Sequence, residues 1–162
     1  NAEDGIGDPL WSRGLGDVYK RQVPLSGKVF LNHLQREKAR FRTLAEDGEE
    51  LRVFLDRGKI LAIDSILQSS CGKNFWVVAA KEEVLSAKSD DWLTFSRACY
   101  HLGNRHVKLQ VGDRWLRILP DHVLEDMLIK LGMCTQLETA EFVPESGAYT
   151  QFSKGHVHAH DH

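Results

Sequence analysis

The chain has 162 residues, 21 of them Lys or Arg and 23 Asp or Glu, so its formal charge is -2 with the eight histidines neutral. That balance excludes a strongly basic nucleic-acid binder, and 42% apolar with 27% charged residues is the composition of a folded chain, not a disordered one. One or two small domains fit this length. No apolar run approaches the ~18 residues of a membrane span, and the first twenty residues lack the charged-then-apolar pattern of a secretory signal. A cytoplasmic protein is therefore expected. Cys71, Cys99 and Cys134 are too few and too widely spaced for a metal knuckle or a disulfide framework, and reduced, buried thiols are expected.

In chain order, the first feature is Ser12-Arg13-Gly14-Leu15-Gly16-Asp17-Val18-Tyr19-Lys20-Arg21-Gln22. It resembles the in-frame translation of a transposase adapter used in sequencing libraries. Ala2 to Asp8 is similar to the translation of the flow-cell adapter that precedes it, with Gly7 in place of Arg, and Pro9, Leu10 and Trp11 have the length of an index read. Residues 1 to 22 are accordingly read as non-native and set aside from the fold.

From 23 to 85 the pattern favours strands and a small β-domain. Ala39 to Leu44 and Leu51 to Leu55 flank a turn containing Asp47-Gly48, which predicts a β-hairpin. Arg57-Gly58 and Cys71-Gly72 mark further turns, and Asn74 to Ala80 is a short apolar run suited to a buried strand. His33 reads as an ordinary surface or capping residue. The cations between Arg36 and Arg57 alternate with acids and read as a solvated face.

The period changes near Ser89. Trp92, Phe95, Cys99 and Leu102 recur at helical spacing, Ser89, Asp90 or Asp91 can cap the start, and Gly103-Asn104 offers a left-handed stop, so a helix is predicted over 91 to 103. Val107 to Val111 alternates, Gly112-Asp113 reads as a two-residue turn, and Arg114 to Leu119 is the partner strand. Asp121 caps a second helix, with Val123, Met127, Leu128 and Leu131 as its apolar stripe and Gly132 as its end. With strands at 84 to 88 and 135 to 142 the order is βαββαβ, a ferredoxin-like split βαβ sandwich over 86 to 145. The class is α+β. Residues 146 to 162 lose all apolar period and read as a mobile tail, in which His156, His158, His160 and His162 alternate so that neighbouring imidazoles can chelate.

Ala98-Cys99-Tyr100-His101-Leu102-Gly103-Asn104-Arg105-His106-Val107, then Asp121-His122-Val123-Leu124-Glu125-Asp126-Met127-Leu128, then Glu145-Ser146-Gly147-Ala148-Tyr149 and the His-rich end together resemble the UreE family of urease accessory proteins. The likeness extends over 23 to 162 and is weaker in the first half, where Gln35 to Arg42 and Phe54 to Gly58 carry it. It implies a partner- or peptide-binding N-terminal β-domain, a ferredoxin-like metal-binding domain, and a homodimer that carries nickel to apo-urease through an accessory GTPase. It also implies that His122, in the DHVL motif, is a nickel ligand contributed by each subunit, and that the tail histidines bind metal as auxiliaries. Gln136 to Pro144 holds no histidine, a departure from some relatives that leaves the tail to supply further ligands.

Spacing alone leaves His122 open between a ligand and a helix-start histidine bonded to Asp121 or Glu125. His101 and His106 flank Gly103-Asn104 and read as braces of that turn. Imidazole suits Ni, Cu and Zn, so histidines by themselves do not select nickel, and Zn or Cu binding in vitro is compatible with them. Two histidines related by a dimer axis grip one ion and leave positions open for exchange. Catalysis is not expected: His158-Ala159-His160-Asp161-His162 lacks one residue of the HxHxDH hydrolase motif, and no phosphate-binding glycine loop is present. The alternative to a nickel carrier is a divalent-metal buffering protein without a dedicated acceptor. Neither nucleic acid nor membrane is expected as a partner.

Overall fold

A computed structural model describes residues 9–13, by backbone alone, and 23–147. The tail histidines and the tail's expected mobility lie outside the described residues. Two units are formed: residues up to Glu82 with Ala140–Phe142, and Glu83–Thr139 with the residues from Val143 onward. Both contain strands and helices, so the architecture is mixed α+β.

The first unit is a six-stranded sheet in the order β2-β6-β5-β1-β4-β3. Its strands are β1 (Pro9–Arg13), β2 (Gly27–Leu31), β3 (Arg40–Leu44), β4 (Glu50–Phe54), β5 (Ile66–Ser69) and β6 (Asn74–Ala79). The Asp-Gly hairpin forms as expected: Arg40 pairs with Phe54 and Leu44 with Glu50, and Gly48 takes φ 89° in the turn. The Cys71-Gly72 turn joins β5 to β6, with Gly72 at φ 87°. Val29, Leu31, Leu51, Val53, Leu67, Phe75 and Val77 fill the core, each buried side chain contributing about 1.5–3 kcal/mol.

Three features differ from the sequence expectation. Residues 9–13, set aside above, form a strand that pairs antiparallel with β5 from Leu10↔Ser69 to Arg13↔Ile66 and parallel with β4 at Pro9 and Leu10. Main-chain pairing asks only for an extended backbone, and Pro9 sits at the strand's first position, where a missing amide costs least. Next, a one-turn helix, α1 (His33–Glu37), interrupts the strands, capped by Asn32, whose side chain and Gln35 form a reciprocal capping box. Finally, α1 carries buried polar groups: His33 is 2% exposed and Arg36 3% exposed, so neither is on a solvated face. The Arg36 guanidinium donates to the Phe142 carbonyl at 2.6 Å, the His33 ring meets the Phe142 ring edge-on at 5.4 Å, and His33 Nε2 lies 3.1 Å from the Glu37 carboxylate. Burial pushes the Arg36 guanidinium below its ordinary value, with Glu82 opposing.

The second unit runs β7 (Lys81–Lys88), α2 (Trp92–Asn104), β8 (Gln110–Val111), β9 (Trp115–Ile118), α3 (His122–Leu131), β10 (Cys134–Glu141), with its first two and last two strand residues counted in the other unit. The element order is the βαββαβ read from the sequence, and the sheet order is β10-β7-β9-β8. Phe95, Ala98 and Leu102 of α2 and Leu128 of α3 pack with Leu85, Ala87, Leu116 and Ile118 of the strands. Trp92, expected inward, is 58% exposed and lies under the Arg114 guanidinium at 5.5 Å. Cys71 and Cys134 are exposed, against the expectation of buried thiols, and Cys99 is half-buried. The two-residue loop is Asp113-Arg114, not Gly112-Asp113: the Gly112 amide donates to the Trp115 carbonyl at 2.9 Å and Arg114 takes φ 59°. Gly112 is needed for another reason, because an added Cβ would collide with the Trp115 indole.

Candidate metal centre

Both helices of the second unit start as the sequence predicts. Asp91 accepts from the Thr94 amide at 3.0 Å and its hydroxyl at 2.7 Å, and the hydroxyl above all holds the Asp91 carboxyl below the usual carboxylate range. Asp121 accepts from the amides of Val123 at 2.9 Å and Leu124 at 3.0 Å, closing the first turn of α3. His122 is the first residue of that helix and is exposed.

The two carboxylates that compete for His122 in the sequence are engaged elsewhere. Asp121 is spent on backbone amides, and Glu125 accepts from the Thr135 hydroxyl at 3.1 Å, tying α3 to β10. No hydrogen bond to the His122 ring is found among the described residues. Val123, beside it, is 62% exposed, so the start of α3 presents an imidazole next to uncovered apolar surface.

The end of α2 differs from expectation. Gly103 and Asn104 are helical, and the left-handed residue is His106, at φ 55°. The His106 amide donates to the Gly103 carbonyl at 3.0 Å and the Val107 amide to the Leu102 carbonyl at 3.2 Å, a Schellman closure with Leu102 and Val107 both in the core cluster. The side chain of His106 is exposed. His101 is half-buried, its ring edge-on to Tyr100 at 5.4 Å and its carbonyl accepting from Arg105 at 3.2 Å. The backbone of His101 takes the Arg105 side chain at the helix end, and His106 is itself the left-handed residue of the turn. The legible signal was the apolar pair five residues apart, Leu102 and Val107, which places the left-handed residue at 106.

Among the described residues of one chain, no three His, Cys, Asp or Glu side chains are grouped to hold a metal ion. His122 and His106 are each exposed donors able to give one ligand; a site of three or more such side chains needs donors beyond the described residues of one chain.

The family described as UreE urease accessory protein, C-terminal domain, matches 82–162. The urease accessory protein UreE of Marinomonas sp. (strain MWYL1) is 52% identical over 147 residues, covering 88% of this chain and 98% of that protein. Those of Alteromonas mediterranea and Psychromonas ingrahamii are 45% and 42% identical, covering 83% and 85% of this chain and 86% and 90% of their own lengths. With its paired helix starts, the LGNRH turn and the DHVL helix in place, the chain belongs to the UreE family of urease accessory proteins.

Proposed function

We propose that the chain is a nickel metallochaperone acting as a cytoplasmic homodimer, which takes up Ni ions at its His-rich end, holds one between the two copies of His122, and passes it through the accessory GTPase to apo-urease. The carrying observation is that His122 stands exposed at the start of α3 while Asp121 and Glu125, the carboxylates nearest in sequence, are bonded elsewhere. Imidazoles donated by two chains form an incomplete coordination shell, and an incomplete shell is what allows an ion to be handed on. Uncovered Val123, Ile129 and Leu137 are the kind of surface a second copy covers. The role is delivery, not catalysis.

A specific observation favours a second assignment of the fixed ligand. His106 occupies a left-handed position normally given to glycine, at a cost of order 1 kcal/mol, with its imidazole exposed to solvent. In that reading the paired ligand is His106, and His122 is auxiliary.

Nickel titration of the intact chain, of His122→Ala, of His106→Ala and of a chain ending at Tyr149 decides between them. Truncation lowers the stoichiometry and leaves one ion per dimer. The substitution that removes this last ion identifies the ligand. Transfer to apo-urease separates a chaperone from a buffering protein, which would bind without delivering.

A further inference from the structure

Glu125 follows His122 by three residues on α3, and side chains three apart on a helix are neighbours, with Cβ atoms about 5–6 Å apart. Helical side chains lean towards the helix start, so an unrestrained Glu125 carboxylate would lie over the turn that carries His122. A histidine and a glutamate at this spacing, in the reverse order, are ligands of the metal centre in di-iron helix bundles. The start of α3 therefore holds a two-donor chelate in latent form. It is disarmed from outside the helix: the Thr135 hydroxyl, on β10, donates to Glu125 Oε1 at 3.1 Å, and both residues are half-buried. Among the described residues that hydroxyl is the one donor to the Glu125 carboxylate. Asp121, the other carboxylate close in sequence, is held by two amides that every helix start leaves unpaired.

We infer that Thr135 determines the metal specificity of the site: by occupying Glu125 it keeps carboxylate oxygen out of the coordination shell built on His122. The inference rests on the reading that paired His122 residues hold the ion. With Thr135 in place each copy offers imidazole alone, which suits nickel, copper and zinc. With Glu125 released each copy would offer imidazole and oxygen, a shell that also suits manganese and is closer to complete. A fuller shell gives up its ion more slowly, which works against delivery. To join the ion Glu125 must first leave Thr135, and a hydrogen bond to a carboxylate weights that step by about tenfold. Thr135 is thus a positioning residue that acts through Glu125 and touches no ion itself.

The test uses the full chain with Mn and Ni ions as probes, Mn binding being followed by its paramagnetic resonance and Ni release by a competing chelator. Thr135→Val keeps the branched shape and removes the hydroxyl, whereas Thr135→Ser keeps the hydroxyl. In Thr135→Val, Mn affinity is expected to rise about tenfold and Ni release to slow about tenfold. Thr135→Ser is expected to behave as the unsubstituted chain. So is Thr135→Val combined with Glu125→Gln, which shows that the gain runs through the carboxylate. Unchanged Mn and Ni behaviour in Thr135→Val, or a gain that survives Glu125→Gln, overturns the role of Thr135 alone. A His122→Ala chain that keeps all its nickel overturns the assignment of His122, and this inference with it.

Discussion

His106 and Gly132 occupy the same place in two identical helix-ending turns. At the end of α3 the Gly132 amide donates to the Ile129 carbonyl at 2.9 Å and the Met133 amide to the Leu128 carbonyl at 3.0 Å, as His106 and Val107 do at the end of α2. Glycine reaches φ 98° without strain, whereas histidine at φ 55° does not. His106→Gly is therefore expected to stabilise the protein by about 0.5–1 kcal/mol, and Gly132→Ala to destabilise it by about 1–2 kcal/mol. Urea unfolding measures both. A His106→Gly protein that is more stable but loses the last nickel ion shows that strain is kept for the ligand.

Asp121→Ala removes the acceptor for two amides of α3. A loss of about 1 kcal/mol is expected, together with fraying of the turn that carries His122. Circular dichroism and nickel titration follow the two effects, and Asp121→Asn, which still caps, is expected to restore stability.

Gly112→Ala places a methyl group where the Trp115 indole lies. The ring has to move off the sheet, at a cost of about 1–3 kcal/mol, and Trp fluorescence reports its displacement. An unchanged emission spectrum and unfolding midpoint contradict this account.

Arg36→Met keeps the apolar stem and removes the donor to Phe142. The buried carbonyl loses a charge-assisted partner, so a loss of about 2 kcal/mol is expected from the unfolding midpoint.

The Asp91 and Glu138 carboxyls are both held below their ordinary range, Asp91 chiefly by the Thr94 hydroxyl and Glu138 chiefly by the Ser86 hydroxyl, with Arg117 adding to it. A carboxyl with a lowered folded value contributes stability above its unfolded value, near pH 4, and loses it as pH falls through the folded one. The unfolding midpoint is expected to drop below about pH 4, and the double variant Asp91→Asn with Glu138→Gln to show a shallower drop.

What was legible in the sequence was local chemistry. Asp91, Asp121 and Gly132 end their helices where short-range hydrogen bonding dictates, and Asp47-Gly48 turns its hairpin. The misreadings lie where a distant residue decides. Gly103 looks like a stop, but the core pair Leu102 and Val107 extends the helix past it. Gly112 looks like a turn residue, but the Trp115 ring is what requires it. His33 and Arg36 look solvated because their shared partner, Phe142, is more than a hundred positions away. For the candidate site, the exposure of His122 and the prior engagement of its carboxylate neighbours needed the fold, since Thr135, which occupies Glu125, belongs to the next strand.

Strand β1 shows how undemanding a vacancy in a β-sheet is. Pro9–Arg13, three residues with the length of an index read followed by the first two of the adapter-like stretch, sit between β4 and β5 by main-chain pairing. Amides and carbonyls are common to every residue but proline, so such a berth discriminates poorly among occupants. Any extended segment that reaches the gap between β4 and β5 can fill it in the same way.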